Sequence, residues 1–177
     1  PLRETETVFR KPFSPEDLKL ILDAAADDRF IHPIIVTGIC TAMRKGDCCQ
    51  LKWSDVDLDR GFLTVKTNKT GQTVDIPIFP MLHQVLSAIP TRDEDYVFPE
   101  QAAMYQDNPD GITWRVRKVF AAVGFKDAKE KPGKKKSVEQ DEIRGAIHVA
   151  RKEGLRRASV RDFHSFRVTW VTLALTA

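Results

Sequence analysis

Two short segments of the sequence carry side chains that can bind and neutralise an anion. The first holds Arg44 and Asp47, three residues apart, and the second holds His164 and Arg167, also three apart. Side chains at this spacing share one face of a helix. Asp47 can therefore hold the Arg44 guanidinium in place, and the second pair can direct two hydrogen-bond donors at one anion.

Each pair also has a simpler explanation. An Arg-x-x-Asp pair is commonly a surface salt bridge of little consequence, and a single histidine such as His164 is commonly a satisfied core or surface residue. The neighbouring residues favour a functional role for the second pair, because Phe163 and Phe166 give that helix a separate core-facing side. His164 and Arg167 are then left to face another partner.

Lys69 is a third candidate, because the sequence N-K-T-G places it at the tip of a predicted β-hairpin with strands over 62–67 and 73–78. A lysine on a turn is normally only a solubilising charge. A flexible ammonium on such a finger can, however, reach into a groove and supply a proton to a departing oxygen.

The elements that position these residues form, by prediction, a mostly helical domain with a small antiparallel β-sheet, an α+β fold. Ser14 followed by Pro15 marks the start of a first helix. Apolar residues at helical spacing predict the other helices. These cover 33–41, 45–53, 80–89, 113–123 and 138–154, with a last helix from Asp162 and a bend near Ala42.

Cationic residues are concentrated in one part of the chain. Between Gly111 and Arg167 there are 16 Lys and Arg against 7 Asp and Glu, whereas the rest of the chain holds 12 against 18. This asymmetry is typical of a one-sided nucleic-acid surface, although a solvated basic face has the same composition. A predicted basic loop over 126–137 is either a solvated linker or a DNA contact; it contains Lys134, Lys135 and Lys136.

The cysteines and the hydropathy pattern indicate the cellular setting. Cys40, Cys48 and Cys49 lack metal-ligand spacing and are interpreted as buried thiols in a reducing compartment. No apolar run approaches the ~20 residues that a membrane span needs, and residues 1–10 do not have the form of a signal peptide or transit peptide. We therefore expect a cytoplasmic protein.

Taken in order, four motifs resemble the catalytic domain of phage integrases and other tyrosine recombinases. They are T-G-I-C-T-A-M-R-K-G-D, T-N-K-T-G-Q-T-V-D-I-P-I, V-F-P, and H-S-F-R followed by V-T-W-V-T-L-A-L. The resemblance extends from Ser14 to Ala177. It implies the fold of the DNA breaking-rejoining enzymes and site-specific DNA recombination, by integration or excision, through a 3′-phosphotyrosyl intermediate.

The resemblance also implies a role for each residue of the two pairs. Arg44 and Arg167 match the two catalytic arginines, which neutralise the non-bridging oxygens of the scissile phosphate. Asp47 matches the acid that supports the first arginine. His164 matches the histidine that hydrogen-bonds the phosphate and assists proton transfer. This scheme needs no metal ion and no cofactor.

Lys69 matches the hairpin lysine that is the general acid for the 5′-hydroxyl leaving group, and Lys66 is the alternative if the hairpin register differs. Lys66 is also a candidate DNA contact, together with the lysines at 134–136. The role of the whole segment 126–161, which looks longer than usual for the family, stays open.

The chain departs from the family pattern in its tyrosines. The nucleophilic tyrosine of the family follows the His-x-x-Arg helix, after a further His or Trp, whereas Tyr96 and Tyr105 both precede that helix. Trp170 follows Arg167 too closely to be the further His or Trp. We therefore expect a single catalytic domain over 1–177, with a linker at 1–12 and its C-terminal end missing, that does not itself cleave DNA.

The expected partner is double-stranded DNA, with no membrane involved. We expect the parent protein to act as a tetramer on DNA, this chain to be a monomer, and the setting to be a bacterial or phage-derived nucleoid. Two alternatives stay open: a non-catalytic DNA-binding or regulatory domain of the same fold, and an enzyme like the type IB topoisomerases.

Overall fold

The computed structural model describes residues 8–66, 71–89, 95–127, 145–149 and 157–176. The helices within them are α1 (Pro15–Ala25), α2 (His32–Thr41), α3 (Lys45–Cys49), α4 (Pro80–Ser87), α5 (Pro99–Asp107), α6 (Pro109–Ala122) and α7 (Ser165–Thr176). The strands are β1 (Val56–Asp57), β2 (Phe62–Lys66), β3 (Thr73–Pro77), β4 (His148–Val149) and β5 (Ala158–Ser159). Helices dominate and both sheets are small and antiparallel, which confirms the predicted α+β fold.

Helix α1 begins where the sequence predicts, because its first turn is capped on both sides. The Ser14 side chain accepts a hydrogen bond from the Asp17 amide at 3.1 Å, and the Asp17 carboxylate accepts one from the Ser14 amide at 3.2 Å. This reciprocal arrangement satisfies two backbone donors at the helix start. The helix then buries Ile21 and Ala25 and contacts α2 and α6.

Helix α2 is the central element of the core, and it contacts α1, α3, α4 and α7. It ends at the predicted bend, where Ala42 adopts the left-handed conformation with φ 54°. The Thr41 hydroxyl stabilises this bend: it donates to the Thr37 carbonyl at 2.6 Å and accepts from the Met43 amide at 3.2 Å. The bend brings the chain out of the core directly before Arg44.

The predicted helix over 45–53 is too long, since α3 ends at Cys49. Beyond Cys49 the backbone pairs with a distant segment. The Leu51 carbonyl accepts from the Val97 amide at 2.8 Å, and the Trp53 amide donates to the Asp95 carbonyl at 3.1 Å. Tertiary pairing of this kind overrides local helix propensity. The segment from Trp53 to Asp55 is a single 3-10 turn.

The hairpin prediction is confirmed for the strands that the structure describes. Strands β2 and β3 pair antiparallel, with Leu63 opposite Ile76 and Lys66 opposite Thr73, and β1 adds a third strand beside β2. Leu63 and Val65 point into the core. The tip, residues 67–70, lies outside the described residues.

The predicted helix over 138–154 is wrong for the part that the structure describes, residues 145–149. His148 and Val149 form β4, which pairs with β5, and the Ile147 carbonyl accepts from the Val160 amide at 2.8 Å. These partners are distant in sequence, and local spacing does not reveal them.

Two further corrections concern the middle of the chain: α5 was not predicted, and α6 starts at Pro109 rather than at 113.

One hydrophobic core holds these elements together, and phenylalanines dominate one side of it. The rings of Phe13, Phe120, Phe125 and Phe166 pack against one another, with centroids 5.2–6.4 Å apart. The three cysteines are buried free thiols, as predicted; burial raises the pKa of Cys40 to about 11 and that of Cys49 to about 12. None of the described helices has the length and apolarity needed to cross a membrane.

Candidate functional site

A cavity of about 280 Å³ lies where α3, α5, α6 and the start of α7 meet. It contains residues from both sequence segments singled out above, 120 positions apart. The lining residues that concern the chemistry are Arg44, Lys45, Tyr105, Arg117, Asp162 and His164. Helices that pack through one core therefore bring the two segments to a single opening.

Arg44 is fixed at the first end of this cavity. It immediately precedes α3 and adopts an extended backbone conformation. Its Nη1 lies 3.8 Å from a carboxylate oxygen of Asp47, and Asp47 is only 8% exposed. A buried carboxylate that faces a guanidinium restricts where that guanidinium can point.

His164 lines the other end of the cavity, whereas Arg167, three residues further along the chain, is not among the lining residues. Phe163 and Phe166 are buried, at 6% and 1% exposure, whereas His164 and Arg167 are exposed. The predicted division into a core-facing and an outward-facing side is thus confirmed. The helix itself begins at Ser165, three residues after the predicted start, because residues 162–164 form a turn.

Gly38 allows the two ends to approach each other. A Cβ at this position would lie 2.4 Å from Cζ of Phe163. That distance is far inside van der Waals contact, so only glycine lets α2 pack directly against the Phe163 ring. Gly38 therefore fixes the distance between the α2 bend that leads to Arg44 and the turn that carries His164.

The charges of both arginines act on His164. Burial lowers the pKa of His164 below its usual value, and the positive charges of Arg10, Arg167 and Arg44 lower it further, while Asp162 opposes them. Coulombic interactions fall off with distance and are screened by solvent. Arg44, His164 and Arg167 therefore lie within one local field, which holds the imidazole neutral near neutral pH.

Arg10 is a residue that the sequence analysis missed, because it lies in the predicted linker. Its Nε lies 3.0 Å from both carboxylate oxygens of Asp162, and one of those oxygens also accepts from the His164 amide at 2.9 Å. The neighbouring Lys11 amide donates to the Val160 carbonyl at 2.8 Å. This part of the linker is held against the turn that carries His164.

Lys45 connects two walls of the cavity. Its ammonium donates to the Pro109 carbonyl at 2.8 Å and to the Thr113 hydroxyl, and it lies 5.6 Å from the ring centroid of Tyr105. Burial lowers its pKa. Lys45 thereby joins α3 to α6.

Within the part of the chain that the structure describes, none of the other lysines predicted for the site lines the cavity. Lys69 and the lysines at 134–136 lie outside the residues that the structure describes. Lys66 is exposed at the end of β2 and does not line the cavity.

Tyr105 lines the cavity although it precedes the His-x-x-Arg helix. Burial raises the pKa of its phenol, and the charge of Asp47 acts in the same direction. This environment disfavours the phenolate. Tyr96 has a structural position: its hydroxyl accepts from Gln106 at 3.1 Å, and its ring lies 5.4 Å from the Lys52 ammonium.

Comparisons with known proteins agree on one group. The sequence model of the phage integrase family matches residues 13–175. The tyrosine recombinase XerA of Pyrococcus furiosus is 29% identical over 115 residues, which are 62% of this chain and 40% of that protein. A shufflon-specific DNA recombinase of Escherichia coli is 24% identical over 107 residues, 60% of this chain and 27% of its own length. The chain thus matches less than half of each curated relative.

Solved structures share the fold. A crystal structure of XerA recombinase superposes with a TM-score of 0.60 at 18% identity, covering 95% of this chain and 52% of that one. A lambda integrase dimer bound to a COC′ core site superposes with a TM-score of 0.59 at 18% identity, covering 93% and 41%.

Proposed function

Because the chain belongs to the phage integrase family, we propose that it is the DNA-binding catalytic domain of a tyrosine recombinase, an enzyme that breaks and rejoins DNA strands at specific sites. The observation that carries the proposal is the meeting of Arg44 and His164 at one cavity, with Arg167 acting on the same imidazole. A group of two guanidiniums and a neutral histidine is suited to a phosphodiester.

The proposed chemistry is stabilisation of a phosphoryl-transfer transition state. Negative charge grows on the non-bridging oxygens as the nucleophile attacks, and fixed cations stabilise that charge without having to reorganise. Arg44, oriented by Asp47, and Arg167, oriented by its helix, supply the cations. A neutral His164 has one N–H to donate to a phosphate oxygen and one nitrogen that can accept a proton.

The leaving 5′-oxygen requires a proton donor, and we assign this role to Lys69, with Lys66 as the alternative. A lysine is suited to the role because its ammonium can move on a flexible stem and its pKa shifts readily near other cations. The basic residues of 126–137 are proposed to contribute phosphate contacts.

Neither tyrosine of this chain is suited to be the nucleophile. Tyr105 lies at the cavity, but burial and nearby negative charge raise its pKa, whereas an activated nucleophile needs a lowered pKa or an adjacent base. We therefore propose that this 177-residue chain binds DNA without forming a covalent bond to it.

A nicked suicide duplex tests both parts of the proposal. Cleavage of such a substrate releases a short product and traps any phosphotyrosyl adduct. We expect DNA binding that weakens steeply with salt and no covalent adduct on denaturing gels. An adduct mapped to Tyr105 by mass spectrometry would overturn the assignment of the tyrosines, and failure to bind duplex DNA would overturn the proposed function.

A second candidate is a non-catalytic DNA-binding or regulatory domain of the same fold, since neither Tyr96 nor Tyr105 follows the His-x-x-Arg helix. Strand exchange by a longer protein that contains this chain distinguishes the two. Relaxation of supercoiled DNA without exchange would instead favour an enzyme like the type IB topoisomerases.

The proposal includes the assembly state and the location. We propose a tetramer of the parent protein on DNA, a monomer for this chain alone, and a cytoplasmic, nucleoid-associated protein of bacterial or phage origin. Sedimentation of the chain with and without a duplex tests the assembly state.

A further inference from the structure

A further arginine lines the cavity, beside the residues described above. Arg117, on α6, is exposed and shares the cavity with Arg44 and His164. Within the described parts of the chain it forms no salt bridge. Its Nη2 instead lies 3.1 Å from Nε2 of a histidine, His148. Arg10 differs in this respect, because both oxygens of the Asp162 carboxylate face its guanidinium.

The partner of Arg117 is itself firmly held. Asp127 accepts from the backbone amide of His148 at 2.7 Å with one oxygen and lies 2.7 Å from its Nδ1 with the other. Burial alone would raise the pKa of Asp127, but the hydrogen bonds from His148 and the charge of Arg157 outweigh burial and lower it. Asp127 is therefore an ionised acceptor.

These contacts determine the proton arrangement. An ionised carboxylate only accepts, so the hydrogen between Asp127 and His148 belongs to Nδ1. A guanidinium can only donate, so the 3.1 Å contact between Nη2 of Arg117 and Nε2 of His148 requires a lone pair on Nε2. The order of donation runs from Arg117 to His148 to Asp127. A neutral acceptor fixes the direction of Arg117 without cancelling its charge.

Arg117 lies in a different part of the cavity from Arg44 and His164. The Lys45 ammonium donates to the Thr113 hydroxyl on α6, and Arg117 lies one turn further along the same helix. Arg117 therefore lies on the Lys45 side of the opening. Successive backbone charges of DNA are closely spaced, so a strand seated at His164 presents a second phosphate to that side.

We propose that Arg117 is a second phosphate-binding residue, which His148 and Asp127 hold in place to contact a DNA backbone phosphate next to the one between Arg44, His164 and Arg167. This inference rests on the proposed function. It also gives a role to part of segment 126–161, since Asp127 and His148 both belong to it.

The test measures duplex binding across a salt series by fluorescence anisotropy, with a short duplex of mixed sequence. Loss of one phosphate contact lowers the slope of log K against log salt by about 0.9. We expect R117Q to lower the slope by about that amount and to weaken binding roughly tenfold at low salt. The matched control is R115Q on the same helix, because Arg115 stacks on Phe30 at 4.3 Å.

The outcomes separate this inference from the proposed function. If the unmodified chain binds the duplex and R117Q keeps its full salt slope, or loses no more than R115Q, the inference is overturned and the proposed function stands. If the unmodified chain does not bind the duplex, both are overturned. Circular dichroism and thermal melting of each variant establish that it is folded.

The positioning role of His148 has its own readout. His148→Gln keeps an acceptor close to the position of Nε2, and His148→Ala removes it. We expect the Gln variant to retain the salt slope and most of the DNA affinity. The Ala variant should have a lower salt slope and a lower affinity. Nitrogen NMR of the ring should show the Nδ1–H tautomer. Equal damage in both variants, or an Nε2–H tautomer, would contradict the positioning role.

Discussion

Arg44 lines the cavity and Arg167 lies on the helix that follows His164, and the two arginines are positioned by different means. Arg44 is oriented locally: it follows a hydrogen-bonded bend and faces the buried carboxylate of Asp47. Arg167 is exposed, its side chain forms no ion pair or hydrogen bond within the described residues, and its place depends on Phe163 and Phe166 on the opposite side of its helix. One cation is positioned by a polar neighbour and the other by the core.

This difference predicts where substitutions act. Changes near Arg44 should alter DNA binding with little effect on folding, whereas changes that disturb Arg167 should act through stability. The predictions below test this separation, beginning with the largest effect.

The largest effect is expected from Phe166→Ala. Phe166 is 1% exposed and packs against three other rings, so the cavity left behind should cost about 3–5 kcal/mol of unfolding free energy. Denaturant unfolding measures it. Trp170→Ala on the same helix, where the side chain is 40% exposed, is the control and should cost much less. Equal losses would show that the core does not hold this helix as described.

Gly38→Ala should come next. The added methyl would meet the Phe163 ring at 2.4 Å, and overpacking of this kind costs about 1–3 kcal/mol. Because Phe163 precedes His164, DNA affinity should fall as well. Gly111→Ala is the matched control, since its methyl would meet the flexible Met104 side chain at 3.1 Å. A Gly38→Ala protein with unchanged stability would contradict the proposed close contact.

Asp47→Asn should affect binding more than folding. Without the carboxylate, the Arg44 guanidinium is held less firmly, and we expect duplex affinity to fall roughly fivefold, equivalent to about 1 kcal/mol. Asp23→Asn is the control, because its pair with Lys19 is exposed. An Asp47→Asn protein that loses stability but keeps its DNA affinity would contradict the proposal that Asp47 serves mainly to orient Arg44.

The smallest effect concerns protonation of His164. Arg10→Gln removes the nearby cation that lowers the pKa of His164 most, so this pKa should rise, as NMR titration would show; Lys19→Gln should leave it unchanged. The folded pKa lies below the unfolded value, so protonation favours the unfolded chain. The unfolding free energy should therefore fall as pH drops through about 6.5, and less so in the Arg10 variant. A pKa that falls in the Arg10 variant would contradict this account.

Local signals in the sequence were sufficient for part of this fold. The capping box at Ser14, the alternating residues of β3 and the phenylalanines beside His164 all act over a few residues, and the elements they predict are confirmed. Family resemblance, rather than spacing, led to the assignment of Arg44 and Arg167.

The missed features depend on distant partners. Arg10 contacts a carboxylate 152 residues away, and Arg117 contacts a histidine 31 residues away. Strand β4 forms because His148 pairs with Ser159, which a helical reading of the surrounding segment cannot anticipate. No pattern over a few residues encodes such contacts, so the sequence predicted the pair of Arg44 and Asp47 but not the partners of Arg10 and Arg117.

A crystal structure of the chain bound to a duplex tests the central claim most directly. We predict one backbone phosphate in contact with Arg44, His164 and Arg167 together, with nitrogen-oxygen distances of about 2.7–3.2 Å. Separate phosphates at the two arginines, or Arg167 paired with a protein carboxylate and turned away from the DNA, would contradict the claim.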